Sequence, residues 1–250
     1  MTGIKDQIMN IKILGTGGAI NNGLPYNSFL INEDLLVESP PDIMNSLFRE
    51  GVDRKKISAI YISHFHADHC FGLPFLLLRN FVDGYSIHVK IIGPEGIEER
   101  IMETCIIAFG AEHKMQNWIR EHVSFREIGE GRDIKVNMQY RITPVKMFHS
   151  PDTYGFVLET EGKKTAYIAD TYWEDSLLAY FEDVDTVIID LNGDRTDKNK
   201  VHISEDDLME YALPNIKKTD IIFHGTHLRE NKISKNKRIR YLIPGEELKI

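Results

Sequence analysis

The chain has 250 residues, 42% hydrophobic and 27% charged, with a formal net charge of −8. Such a length can bury one large α/β core, and the composition is ordinary for a globular protein. The acidic balance, with no long basic run, argues against general electrostatic capture of nucleic acid. Cys70 and Cys105 are the two cysteines, too few for a disulfide framework or a paired-cysteine zinc ribbon. The N-terminal Met1-Thr-Gly-Ile-Lys-Asp-Gln has no apolar segment of signal-peptide length. No run approaches the ~20 apolar residues of a membrane span. A cytoplasmic protein with no membrane partner is the expectation.

Asn10-Ile-Lys-Ile-Leu alternates like a strand and runs into Gly15-Thr16-Gly17-Gly18. Asn21-Asn22-Gly23-Leu24-Pro25 opens no helix, so this is not a dinucleotide-binding turn. The glycines either let backbone pass close to a functional site or make a purely structural turn. A hairpin of Ser28–Asn32 and Leu35–Glu38 follows, and then a helix from Ser39-Pro40-Pro41-Asp42 to about Arg49. Glu38 and Asp42 bracket the end of the hairpin and are assigned no role.

Ile60-Tyr61-Ile62 reads as a buried strand that runs into Ser63-His-Phe-His-Ala-Asp-His-Cys-Phe-Gly72. Alternate residues of an extended segment point the same way, so His64 and His66 can grip one ion together. Asp68 and His69, past the bend, can face a second. Imidazole and carboxylate suit zinc, manganese or iron. Cys70 adjoins the cluster and is expected to be buried behind it.

His-x-His-x-Asp-His after a strand resembles the signature of the metallo-β-lactamase-fold hydrolases, and the Gly-Thr-Gly-Gly start resembles the way many members begin. The resemblance implies a four-layer αββα sandwich of two mixed sheets flanked by helices, with two divalent metal ions. Zinc is the first candidate and manganese the second.

Beyond the motif, the pattern is Leu73–Val82 helix, Val89–Ile92 strand, and a helix from Pro94-Glu95 to Phe109. Residues 111–122 are a polar, helical excursion that is either a lid or plain surface, with His113 and His122 expected at the surface. Strands follow at Val123–Ile128, Ile134–Val136, Gln139–Met147, Tyr154–Glu159 and Lys164–Ile168. Then come a short helix Glu174–Phe181, a strand Thr186–Asp190, a helix Glu205–Leu213 and a last strand Asp220–Phe223. Two blocks of strands then helices predict two sheets face to face with helices outside. Residues 1–250 are expected to form a single domain. Residues 229–250 are its tail, and Arg229–Lys237 is a solvated basic arm.

The resemblance also supplies the downstream positions. His149, after a strand, stands at the third histidine of the first metal. Asp170, closing Ala166-Tyr-Ile-Ala169, stands at the bridging carboxylate, whose two oxygens can hold two cations. His224, after Asp220-Ile-Ile-Phe, matches the last ligand of the second metal and is favoured because it abuts the strand; His227, three residues on, is the alternative for that place or else a substrate or outer group. His64, His66 and His149 would thus hold one ion, and Asp68, His69 and His224 the other.

Shared family chemistry is hydrolysis by a water that the two metals activate, with Asp68 orienting the nucleophile. His202 stands where phosphodiesterases of this fold, including tRNase Z and cyclic phosphate phosphodiesterases, carry a histidine that protonates the leaving oxygen. Asp190 can orient and charge it. Ser204 reads as the following helix's N-cap, with Asp207 at the capping-box position. The implied substrate is a small or cyclic phosphodiester. Nucleic acid is not favoured, because the short span from His149 to Asp170 has no room for the long arm of bacterial tRNase Z. Lactone or carboxylic ester hydrolysis on the same ions is the competing chemistry and does not need His202. A non-catalytic metal-binding protein ranks lower, and His66 argues against oxygen-reducing di-iron relatives. Family members often form homodimers, and a homodimer is an expectation on that ground alone.

Overall fold

The computed structural model describes residues 8–86, 88–160, 162–196 and 200–250; the N-terminal stretch Met1–Gln7 discussed above lies outside them. Among the described residues, fourteen strands make two seven-stranded sheets. The first takes β1 (Asn10–Gly15), β2 (Ser28–Ile31), β3 (Leu35–Val37), β4 (Ala59–Tyr61), β5 (Val89–Gly93) and β6 (Val123–Glu127). The second takes β7 (Ile134–Lys135), β8 (Arg141–Lys146), β9 (Tyr154–Glu159), β10 (Lys164–Ile168), β11 (Thr186–Asp190), β12 (Ile222–Thr226) and β13 (Ile239–Tyr241). Finally β14 (Glu247–Lys249) returns to pair with β1. Both sheets are mixed: β3 to β6 and β10 to β13 run parallel, and the other pairings are antiparallel.

Strands β2, β3 and β4 are buried at every residue, as continuous apolar runs covered on both faces should be. The inner core lies between the sheets, where Phe29 meets Tyr167 and Tyr61 meets Phe156 edge to face at 5.1 and 4.8 Å. A second core packs α1 (Ile43–Arg49), α3 (Leu73–Val82), α4 (Ile97–Phe109) and α5 (Met115–His122) onto the outside of the first sheet. Between α1 and α3 lies the four-residue α2 (Ala67–Cys70). Met115, Trp118 and Ile119 of α5 are buried in that layer, and the Trp118 indole donates to the Tyr85 carbonyl at 3.2 Å. The stretch 111–122 is therefore anchored through its helix. The other outer layer carries the turn Asp175–Tyr180 and α6 (Glu205–Asp207), which continues as a π turn over Leu208–Ala212. Among the described residues no helix is long and apolar enough to cross a membrane.

Two expectations about the chain's last quarter are corrected. The strand expected over Asp220–Phe223 runs instead from Ile222 to Thr226, because His224, Gly225 and Thr226 stay in register with Ile188, Ile189 and Asp190. The expected tail also carries two further strands: β13 lies beside β12, and β14 closes the first sheet. The basic arm is tied down as well, with the Ser234 hydroxyl donating to Glu205 at 2.6 Å. Three-residue strands in charged surroundings leave too short an alternation to be seen in sequence.

Candidate metal centre

Strand β4 ends at Tyr61, and the next residues stay extended through His66 (φ −66°, ψ 148°) before α2 turns. His64 and His66 therefore share a side, and α2 presents Asp68 and His69 one turn on. His64 Nε2 lies 3.0 Å from His66 Nδ1, and His149 Nε2 lies 3.3 Å from the same atom. His149 arrives just past β8, and Asp170 two residues past β10, with an oxygen 4.0 Å from His149 Nε2. The donor atoms of His64, His66, His149 and Asp170 all lie within 4.8 Å of one another.

The second group is Asp68, His69 and His227. His69 Nε2 lies 3.5 Å from Asp68 Oδ2 and 3.4 Å from Asp170 Oδ1. His227 Nε2 lies 3.2 Å from Asp68 Oδ2 and 3.4 Å from Asp170 Oδ2. Asp170 thus faces both groups, one oxygen towards His69 and the other towards His149 and His227.

His224 is not in either group. It sits inside β12, between Ile188 and Arg240 in register, and burial together with the Arg240 charge pushes its pKa down to about 4. The first residue free of the ladder is His227, which turns into the site with a left-handed backbone, φ 61°. That conformation is costly for a residue with a side chain and must be imposed by its neighbours. The glycine-rich turn does so: Leu228 donates to the Thr16 carbonyl at 2.7 Å, and Gly18 donates back to the Leu228 carbonyl at 2.9 Å. A Cβ on Gly18 would lie 2.9 Å from His227 Cε1. Gly18 therefore lets backbone pass against the site, one of the two uses left open for this turn.

His202 and Asp190 form a tight pair at the edge of the second group. Asp190 Oδ2 lies 2.6 Å from His202 Nδ1, and its other oxygen accepts from the Asn192 amide at 3.0 Å. Gly193 donates to the Ile203 carbonyl at 2.9 Å, and any Cβ on it would lie 2.4 Å from the His202 carbonyl. Ser204 caps α6 with a reciprocal box to Asp207, a cap worth about 1 kcal/mol. His202 is thus held from both sides of its loop. Its side chain is 16% exposed while that of Asp190 is 1% exposed, so the imidazole faces the opening and the carboxylate stays behind it. Donor atoms of Asp170, Asp190, His202 and His227 also lie within 4.8 Å of one another.

The buried carboxylates favour positive charge at this place. Burial opposes charge on Asp170, yet His227 and His69 hold its carboxyl well below the ordinary range. Burial likewise opposes charge on His227, but Asp170 leads the neighbouring carboxylates in raising its pKa to about 10. Burial above all drives His64 well below the ordinary histidine value, leaving the neutral imidazole that a metal requires. His69 Nε2 and Asp170 Oδ1 are buried without a hydrogen-bond partner, which a closed protein seldom tolerates. Converging imidazole nitrogens with unpartnered carboxylate oxygen are the donor set that suits zinc or manganese. Cys70 does not join it: its thiol faces the His66 carbonyl at 3.3 Å, and burial pushes its pKa up to about 12.

Glu38, to which the sequence assigned no role, is fully buried with φ 64°. One of its oxygens lies 3.4 Å from His69 Nδ1. Its signal was a carboxylate at the end of an apolar strand, where burial without a partner would be prohibitive. Asp42, the other bracket, accepts from the Tyr26 amide at 3.2 Å instead.

Comparison with known proteins agrees with this architecture. Ribonuclease Z of Oceanobacillus iheyensis is 26% identical over 170 residues, 65% of this chain and 53% of that protein. Ribonuclease BN of Escherichia coli is 32% identical over 124 residues, 50% of this chain and 37% of that protein. The chain spans about half the length, or less, of these curated relatives. Among solved structures, the metallo-β-lactamase fold protein YhfI from Bacillus subtilis has a TM-score of 0.75 at 18% identity, covering 97% of this chain and 99% of that one. A diphosphatase from the PhnP family has a TM-score of 0.73 at 19% identity, covering 96% and 97%. These likenesses show the metallo-β-lactamase fold. Residues 9–247 match the family model described as anti-Pycsar protein Apyc1, and the chain belongs to that family.

Proposed function

We propose that the chain is a metal-dependent hydrolase of phosphodiesters, and that its substrate is small or cyclic. The observation that carries this reading is the His202–Asp190 pair at 2.6 Å, set beside the Asp170 and His227 end of the metal groups. His64, His66 and His149 would hold one divalent ion, Asp68, His69 and His227 the other, with Asp170 between them. Two such ions supply a water acidic enough to attack at neutral pH and positive charge for the attacked phosphate oxygens.

The chain's own groups provide the rest. Asp68, kept ionised chiefly by the His227 hydrogen bond despite its burial, orients the attacking water. His202 must enter protonated to give its proton to the leaving oxygen. Burial works against that charge, but the Asp190 carboxylate outweighs it and raises the His202 pKa. Nδ1 is engaged by Asp190, so Nε2 is the atom left to deliver the proton. A general acid serves any leaving group that departs as an alkoxide; a phosphodiester is preferred to a lactone because the phosphodiesterases this chain resembles carry a histidine at the place of His202 and the lactonases do not need one. The net charge of −8 supports a small substrate over a polyanionic RNA.

The test is hydrolysis of a small cyclic phosphodiester and of a simple lactone by protein reloaded with zinc or manganese. Diester turnover that disappears in His66→Ala supports the reading. Lactone turnover without diester turnover overturns it.

A further inference from the structure

Behind the metal groups runs a buried chain of hydrogen bonds that crosses between the sheets. Thr226 donates to Asn27 Oδ1 at 2.7 Å, Asn27 Nδ2 donates to the Tyr167 hydroxyl at 3.2 Å, and that hydroxyl donates to Glu38 Oε1 at 3.0 Å. Glu38 Oε1 also lies 3.4 Å from His69 Nδ1, and Oε2 accepts from the Ser63 amide at 3.2 Å. No member is more than 2% exposed. One end abuts His69 on α2, and the other is Thr226, the last residue of β12, just before His227. The middle link, Tyr167, lies on β10, whose end delivers Asp170.

We propose that this chain, with Glu38 as its positioning residue, sets His69 and His227 at the separation the second ion requires, and leaves the first ion's histidines largely unaffected. His69 can offer Nε2 to an ion only if its ring is held by Nδ1, and Glu38 is the carboxylate facing that atom. The first group is held chiefly by other contacts: His64 Nδ1 pairs with the Ser63 hydroxyl at 2.9 Å, a hydroxyl that lies farther, 3.5 Å, from His69 Nδ1, and His149 follows β8. Glu38 accepts from the Ser63 amide and the Tyr167 hydroxyl and lies within ion-pair range of His69, which accounts for a carboxylate at 0% exposure. Its left-handed backbone turns the side chain inward at the strand end, where the next residue, Ser39, donates to the His69 carbonyl at 2.8 Å. Among the described residues the Thr226 hydroxyl hydrogen-bonds Asn27 and no candidate ligand side chain, so removing that hydroxyl tests the chain rather than a direct contact.

This inference rests on the two-ion reading, and a metal titration separates the two. Stripped protein is titrated with zinc against a chromophoric chelator, giving two stepwise affinities, and His227→Ala identifies the step that belongs to the second ion. Glu38→Gln, which presents an amide NH₂ to existing donors, should weaken that step about 10–100-fold, the usual cost of losing an outer-shell partner, with the other step unchanged. Thr226→Val should weaken the same step by a smaller factor. Both steps weakening in parallel, or neither moving, overturns the inference while the two-ion reading stands. Wild type taking up fewer than two ions overturns the reading and the inference with it. Circular dichroism checks folding, and if Glu38→Gln fails to fold, Tyr167→Phe and Thr226→Val decide by the same criterion.

Discussion

Asp190 lies between two histidines of different fate: one oxygen is 2.6 Å from His202 Nδ1 and the other 3.5 Å from His227 Nδ1. The same buried carboxylate therefore raises the proton affinity of the group at the opening and faces the ring that points into the second donor group. Its position at the end of β11, in register with Thr226 on β12, makes both contacts a consequence of strand pairing.

The first consequence is a pH dependence with a definite sign. A general acid acts in its protonated form, and the His202 pKa is raised above 6.5. Hydrolysis by the wild type should therefore hold up to that raised value and fall as pH rises through it. Asp190→Asn removes the charge responsible, so the alkaline limb should move to lower pH and the rate near neutrality should drop. The measurement is kcat/KM against pH for both proteins; a limb that does not move would remove Asp190 from this role.

His227 and His224 should separate cleanly. His227→Ala deletes a donor from the second group and should abolish the second zinc step and reduce diester turnover about 10²-fold or more, as loss of part of the charge stabilisation implies. His224→Gln, inside β12 and outside both groups, should retain two zinc ions per chain. Metal analysis after gel filtration decides between them.

Space at Gly18 is a third test. Alanine there puts a methyl 2.9 Å from His227 Cε1 and 3.0 Å from Asn192 Nδ2, so the His227 ring must shift. Gly18→Ala should lower zinc affinity and turnover with the fold intact. Gly129→Ala, where a Cβ would meet nothing within 4 Å, should do neither.

Metal removal should cost stability. An ion that binds only the folded chain contributes about 4 kcal/mol when free zinc is ~1,000 times its dissociation constant. For a chain of this size that corresponds to roughly 10 °C in Tm. Chelator should lower Tm by that order and zinc should restore it, whereas a Tm indifferent to both would mean the histidine groups bind no ion.

Much of the site was legible because its segments end the same way. The strands leading to His64, His149 and Asp170 are short apolar runs that break at or near a ligand-type residue, and the structure brings all three together. The same rule pointed to His224, which the structure places inside β12 and outside both donor groups, since Gly225 and Thr226 extend β12 without adding apolar residues and only pairing with β11 reveals that the strand continues. Glu38 was opaque, and Gly18 only half legible, for another reason. Their roles depend on what lies opposite across the fold, Tyr167 and His69 for one and His227 for the other, and no local pattern encodes that. The closing strands β13 and β14 escaped notice because each is held by its neighbour rather than by its own periodicity.

The most direct measurement of the central claim is the leaving-group dependence of His202→Ala. Wild type and variant, each loaded with zinc, are compared on a diester that expels an alkoxide and on bis(p-nitrophenyl) phosphate, which expels a stable phenolate. Loss of a general acid should cost about 10²–10⁴-fold on the alkoxide substrate and far less on the phenolate one. An equal loss on both, or none on the alkoxide substrate, would contradict the role given to His202.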